Sequence, residues 1–293
     1  MGTWSIRRYA GTLAEVRGLR AVERKTFREC PYPAHELLRR LAAPEQRVWL
    51  AEAAGQVVGF VAGIHTWPLR GACIEADLLA VDPDWQGQGI ATALLLTLRR
   101  DASHGQALRG VVSVHNPASE RAFWRAGFRP AGETHDLFLC RLRGRARRTP
   151  PRWGGVVRPL QTFQEAALFV SLAPGASLPA ERVWANCRAG RVTLLGAWLD
   201  GTLAAGVELL EVHTLLYSGL WLESVLGQGE QAHAALIAAT IELAKERQLD
   251  EVGCLVSQVQ RPLRARLLAA GLTPLDSYRI WMAAPLPWES RQA

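Results

Sequence analysis

The chain has 293 residues, of which 49% are hydrophobic and 21% charged, so a disordered or collagen-like polypeptide is excluded. Its formal charge is +7, carried almost entirely by arginine, since Lys25 and Lys245 are the only lysines. Arginine keeps its proton at working pH, so these side chains can hold anions but make poor bases.

The opening residues lack an apolar run, and position 6 is Ile where a myristoylation motif has Ser or Thr, so no signal peptide or lipid anchor is expected. A helix is expected over about 12–25, and another over 33–42 after the break at Pro31-Tyr-Pro33. Strands at 47–54 and 57–66 flank the hairpin signal Ala54-Gly55. A strand at 74–81 stops at Pro83, and a glycine-rich turn opens a helix at about 89–102, marked by Leu94, Leu95 and Leu98. A strand at 109–115, a helix at 117–126 and a strand at 134–142 complete an α+β or mixed α/β unit.

That unit recurs. Gly110-Val-Val-Ser with Arg-Ala-Gly127-Phe128-Arg-Pro130 is echoed by Cys254-Leu-Val-Ser with Ala-Ala-Gly271-Leu272-Thr-Pro274. The openings (Ser5-Ile-Arg7, Val156-Val-Arg158) and the hairpins (Leu50 to Gly59, Gly196 to Gly206) match as well. A duplicated domain is therefore expected, with copies at 1–143 and 155–293 joined by an arginine-, proline- and glycine-rich linker at 144–154. The charge divides as +5, −2 and +4 over first copy, second copy and linker. The most apolar tract, about 194–226, is interrupted by Asp200, Glu208 and Glu211, which excludes a membrane span. Five scattered cysteines without a C-x-x-C pair indicate neither a metal site nor a disulfide framework, and a cytoplasmic protein is expected.

The chemistry resides in Leu79-Ala-Val81-Asp-Pro-Asp-Trp-Gln86-Gly87-Gln88-Gly89-Ile90-Ala91-Thr92. Glycines let the backbone approach a ligand, and the first amides of a helix have no internal partner, which together suit a pyrophosphate. The Walker and dinucleotide patterns do not fit, because Ile90-Ala91 follows the last glycine and a third glycine is missing.

Gln86-x-x-Gly89-x-Ala91 after Val81-Asp-Pro83 resembles the coenzyme A loop of GCN5-related N-acetyltransferases (GNAT). Asn116-Pro-Ala-Ser-Glu-Arg-Ala-Phe123 leading to Gly127-Phe128 is similar to that family's final helix and turn. The resemblance is strong over the first copy and worn over the second. It implies two tandem GNAT folds, each a mixed, mostly antiparallel sheet flanked by helices. It implies acetyl-CoA as co-substrate, with Leu79, Ala80 and Val81 pairing with the pantetheine arm. Gly87, Gln88, Gly89, Ile90, Ala91 and Thr92 would hold the pyrophosphate beside Gln86, and Asn116 and Phe123 would contact the cofactor. Asn116 also reads as a helix cap ahead of Pro117.

An acceptor amine must lose a proton before it attacks a thioester. Glu75 and Asp77 share strand parity with Leu79 and Val81, so both are candidate bases, with Glu75 ranked first because some members carry their base six residues before the Val81 position. Val111 stands where another subgroup has a glutamate, and Phe123 where many members have a proton-donating tyrosine. His65 and His115 are weaker candidates acting through water. The acceptor is expected against Phe27 to Glu36, including Tyr32. In the second copy, misplaced Gly227 and Gly229 and the acidic Glu230 imply a lost cofactor loop. That copy would pack, form a homodimer or shape the acceptor pocket. The reading is an acetyl-CoA-dependent N-acetyltransferase acting on a primary amine. The alternative is a non-catalytic acyl-CoA-binding or protein-interaction module. No motif or helix stripe supports a nucleic-acid partner.

Overall fold

The computed structural model describes residues 3–27, 31–103, 106–143, 153–173 and 176–286. Most of the expected linker, 144–152, and part of the expected acceptor segment, 28–30, lie outside the described residues. The first copy runs β1 (Ser5–Arg8), α1 (Leu13–Thr26), α2 (Ala34–Leu41), β2 (Gln46–Ala53), β3 (Gln56–Thr66), β4 (Cys73–Val81), α3 (Ile90–Asp101), β5 (Ala107–Ser113), α4 (Pro117–Arg125) and β6 (Arg129–Arg141). The second repeats this order as β7 (Val156–Pro159), α5 (Phe163–Ser171), α6 (Ala180–Arg188), β8 (Thr193–Leu199), β9 (Thr202–His213), β10 (Ser218–Gly227), α7 (Glu230–Glu246), β11 (Glu251–Ser257), α8 (Arg261–Ala270) and β12 (Thr273–Ala283).

The two openings are built by the same local chemistry. Thr12 caps α1 by accepting from the Glu15 amide at 3.2 Å, while the Thr12 amide donates to the Glu15 carboxylate at 2.9 Å. Arg7 on β1 pairs with Glu15 and with Glu52 on β2, tying helix to sheet. Thr162, Glu165 and Arg158 repeat the cap and the ion pair in the second copy. Duplication is therefore visible in side-chain contacts as well as in element order.

The twelve strands of the described residues form one sheet, ordered β1-β2-β3-β4-β5-β12-β6-β11-β10-β9-β8-β7. The last strands are exchanged between the copies. β12 lies antiparallel between β5 (Tyr278 opposite Ser113) and β6, and β6 runs antiparallel to β11 (Val252 opposite Cys140). The cores follow this exchange. Phe138 and Cys140 of β6 are buried with Leu236 and Ile237 of α7, whereas Trp281 of β12 is buried with Leu94 of α3 and Phe123 of α4. On the opposite face of the first copy, α1 and α2 bury Val16, Leu19 and Leu37 against Leu50, Phe60 and Leu78.

The sheet curls so that its two halves face each other. Leu69, before β4, is buried in the core of the second copy, and Leu215, before β10, in that of the first. The Leu69 amide donates to Glu208 on β9 at 2.7 Å, and the Gln46 side chain donates to the His213 carbonyl at 3.0 Å. Tyr32 belongs to this seam: its hydroxyl donates to Asp250 and the Arg40 guanidinium lies 3.6 Å over its ring. Among the described residues no helix is long and apolar enough to cross a membrane.

Candidate active site

The site begins with an irregularity in β4. Ala62 of β3 faces Leu78, but Gly63 faces Ala76, so Asp77 is an extra residue in the strand. Such a bulge flips side-chain parity and bends the strand. Ile74 and Ala76 pack towards α3 before the bulge, and Leu79 and Val81 do so after it, while Leu78 and Ala80 face α1. The parity expected from a regular strand therefore fails at Asp77: Glu75 lies on the face opposite to Leu79 and Val81.

The bulge also opens the sheet. β4 and β5 pair in parallel from Cys73 opposite Ala107 to Ala76 opposite Gly110, and no rung follows. Leu79, Ala80 and Val81 keep their β3 partners on one side and face the widening gap on the other. Gln86 braces the end of this edge by donating to the Val81 carbonyl at 3.1 Å.

At the mouth of the gap the chain makes a single 3-10 turn, Pro83–Trp85, and then enters α3. Gly87 and Gly89 have φ of +78° and +83°, a left-handed backbone that other residues adopt at a cost, and a Cβ at either would meet nothing within 4 Å. No side chain caps α3, and its first turn-closing bond runs from the Ala93 amide to the Gly89 carbonyl. Among the described residues the amides from Gly87 to Thr92 have no protein acceptor, so the positive end of the α3 dipole faces open space. This geometry fits the pyrophosphate of a coenzyme A thioester.

The other sequence candidates sort differently. Asn116 caps α4, accepting from the Ser119 amide at 3.0 Å. Phe123 is buried edge-on to Phe128 at 4.9 Å, and a Cβ on Gly110 would strike its ring at 2.1 Å. It works as packing beneath β5 and carries no proton to donate. His65 contacts Gln106 at 3.1 Å, and burial lowers its pKa, which favours the neutral ring. His115 is exposed, 3.6 Å from Asp276. Neither histidine reaches the acids of the site.

Those acids face a cavity of about 1420 Å³ between the two halves of the sheet, lined by both copies. Arg109 on β5 is shared between Glu75 and Glu223, donating to the latter also through Nη2 at 3.0 Å. Glu223 is itself the extra residue of a bulge, in β10 between Leu222 and Ser224, so the duplicated irregularity brings acids from both copies to one place. Arg109 holds Glu223 below the usual carboxylate range, whereas burial pushes Glu75 up. Asp77 has no guanidinium: burial, reinforced by the Glu75 charge, raises it to about 7, and its Oδ2 is buried without a hydrogen-bond partner. The Tyr217 phenol is held protonated by burial and by Asp77, Glu251 and Glu75 around it. Sequence reasoning missed Arg109, Tyr217, Glu223 and Glu251 at this site, because their meeting depends on the sheet curling; the one available signal was the repeat.

In the second copy the corresponding loop is closed. β10 and β11 pair in parallel only as far as Trp221 opposite Gly253, so a gap persists. However, a Cβ on Gly227 would meet the Ala204 carbonyl oxygen at 2.5 Å, and the Gln228 amide donates to that carbonyl at 3.3 Å. The turn is pressed onto β9 where its counterpart stands open, and Glu230 occupies the first turn of α7.

The bulged and splayed β4, the open turn and the helix behind it coincide with a match to the acetyltransferase (GNAT) family over residues 15–128. An uncharacterised N-acetyltransferase of Methanocaldococcus jannaschii is 32% identical over 111 residues, covering 37% of this chain and 68% of the relative. The chain belongs to the GNAT family. Its tandem arrangement has counterparts among solved structures. A tandem GNAT protein from the clavulanic acid biosynthesis pathway aligns over 97% of this chain and 99% of its own, with a TM-score of 0.60 and 19% identity. A GCN5-related N-acetyltransferase from Sphaerobacter thermophilus aligns over 97% and 96%, with a TM-score of 0.65 and 18% identity. At such identities the likeness is one of fold, and it extends through both GNAT copies.

Proposed function

We propose that this GNAT protein transfers an acetyl group from acetyl-CoA to a primary amine by direct attack on the thioester, using the first copy. The observations that carry this reading are an open turn, Gly87–Thr92, beyond one end of the unpaired β4 edge and a partnerless carboxylate oxygen at the bulge that begins it. When bound, acetyl-CoA supplies the activated acetyl group. The amides of Gly87 to Thr92 and the α3 dipole hold its pyrophosphate, and the free edge of Leu79, Ala80 and Val81 receives the pantetheine arm.

Asp77 takes the proton from the acceptor ammonium. Its pKa of about 7 leaves it able both to accept that proton and to return it to water near neutrality. Glu75, placed first by sequence reasoning, is engaged by Arg109 and serves to position that guanidinium and to raise Asp77. Solvent protonates the departing thiolate, because Phe123 cannot. The second copy closes the cavity opposite Asp77 rather than binding a second coenzyme A. Thiol release from acetyl-CoA over a panel of primary amines, with calorimetry for acetyl-CoA, tests the reading. Tight binding without turnover on any amine would favour the non-catalytic acyl-CoA-binding alternative.

A further inference from the structure

Among the described residues the cavity is strongly unbalanced in charge: five carboxylates, Glu75, Asp77, Glu133, Glu223 and Glu251, line it against two guanidiniums, Arg70 and Arg109. Arg109 is consumed by Glu75 and Glu223. Glu133 accepts from the Ser257 hydroxyl, which leaves Asp77 and Glu251, both raised to about 7 by burial, so that among the described residues no cation is sufficient to neutralise either. Among the described residues, Arg141 is the guanidinium whose charge acts on Glu251, and it does not line the cavity.

These two acids flank an aromatic wall from the second copy. A Cβ on Gly219 would lie 3.2 Å from Trp221 Nε1, 3.3 Å from Tyr217 Cδ2 and 3.4 Å from Glu251 Cγ, so the three side chains converge on one spot. The Tyr217 and Trp221 rings are 6.1 Å apart at a tilt of 46°. Asp77 lines the same cavity from the first copy, and its charge acts on this phenol. Aromatic faces beside an uncompensated carboxylate favour an ammonium, through ring quadrupole and charge together. A neutral or anionic group there would leave the acids without a partner.

We propose that Glu251, Tyr217 and Trp221 hold a second cationic nitrogen of the acceptor while Asp77 receives the reacting one, so that the acceptor is a diamine or longer polyamine. The inference rests on the transferase reading and names its substrate class. It also assigns the second copy a role: recognition of the acceptor's far end.

The test compares 1,3-diaminopropane to 1,6-diaminohexane with n-alkylamines and ω-amino carboxylates of matched length, using the full chain and acetyl-CoA. At least one diamine is expected to exceed its matched alkylamine in kcat/KM by roughly tenfold or more, the worth of one charge-assisted contact, and the amino carboxylates to rank last. Glu251→Gln is expected to bring the diamine-to-alkylamine ratio towards one, chiefly through KM. Alkylamines or amino carboxylates that match the diamines would overturn the proposal. Calorimetry of the same compounds without acetyl-CoA separates it from the transferase reading. Diamine binding weakened by Glu251→Gln supports the proposal even if no amine is acetylated, and absence of diamine binding overturns it even if alkylamines turn over.

Discussion

Replacing Asp77 by Asn keeps the shape of the bulge residue and removes its charge, and the expected consequences have opposite signs for activity and stability. Loss of a positioned base lowers kcat/KM by roughly 100-fold or more. The wild-type rate should rise with pH through about 7 as Asp77 ionises, and the variant should lose that limb. For stability, the folded-state pKa lies above the ordinary value of 3.8, so the folded chain holds this proton more tightly than the unfolded one. The stabilisation due to the bound proton is complete below about pH 4 and is lost as pH rises through about 7. An elevation from 3.8 to about 7 corresponds to at most ~4 kcal/mol against the fold once the group is ionised. The Asn variant should therefore be the more stable protein at pH 8 and equal to wild type at pH 4. Urea titrations at both pH values, alongside pH–rate profiles, measure the two effects. An active variant with an unchanged profile, or one less stable than wild type at pH 8, would refute the assignment of a buried, uncompensated base.

Three further outcomes follow from the architecture. Glu223→Gln removes one of the two anions on Arg109 and should destabilise the chain by about 3 kcal/mol in urea unfolding, since a partly buried guanidinium loses half its compensation. Residues 1–143 alone should fail to give a folded monomer by near-UV circular dichroism, because β12 and Trp281 are missing from its sheet and core. Mixing that fragment with 155–293 should restore the signal, as each carries the strand that the other lacks.

Much of this molecule was legible in the sequence because the signals are local. The Ala54-Gly55 turn signal between the runs at 47–54 and 57–66 specified a hairpin, and β2 and β3 form it with Ala54 and Gly55 both at positive φ. The turn from Val81 to Thr92 was recognisable because glycine spacing and a helix start encode it within a dozen residues. The exchange of β6 and β12 left no local trace: each follows its helix and glycine turn as the last strand of its copy, and its partner is set by how the copies are joined and how the sheet curls. The bulge at Asp77 defeated the parity argument, since one inserted residue reverses every side chain beyond it. Arg109 and Glu223 are 114 positions apart, so neither could be read as part of a site before the two halves of the sheet were seen to face each other.

The most direct test of the central claim is the stoichiometry of acetyl-CoA binding by calorimetry, measured on the wild-type chain and on Gly89→Glu. The added carboxylate meets no atom within 4 Å but must adopt the left-handed backbone at φ +83°, so far-UV circular dichroism of the variant checks that the fold persists while the new charge repels a pyrophosphate at the start of α3. One equivalent per wild-type chain and none for the variant is the expected result. Two equivalents, or binding that survives Gly89→Glu, would contradict the assignment of the cofactor to the first copy alone.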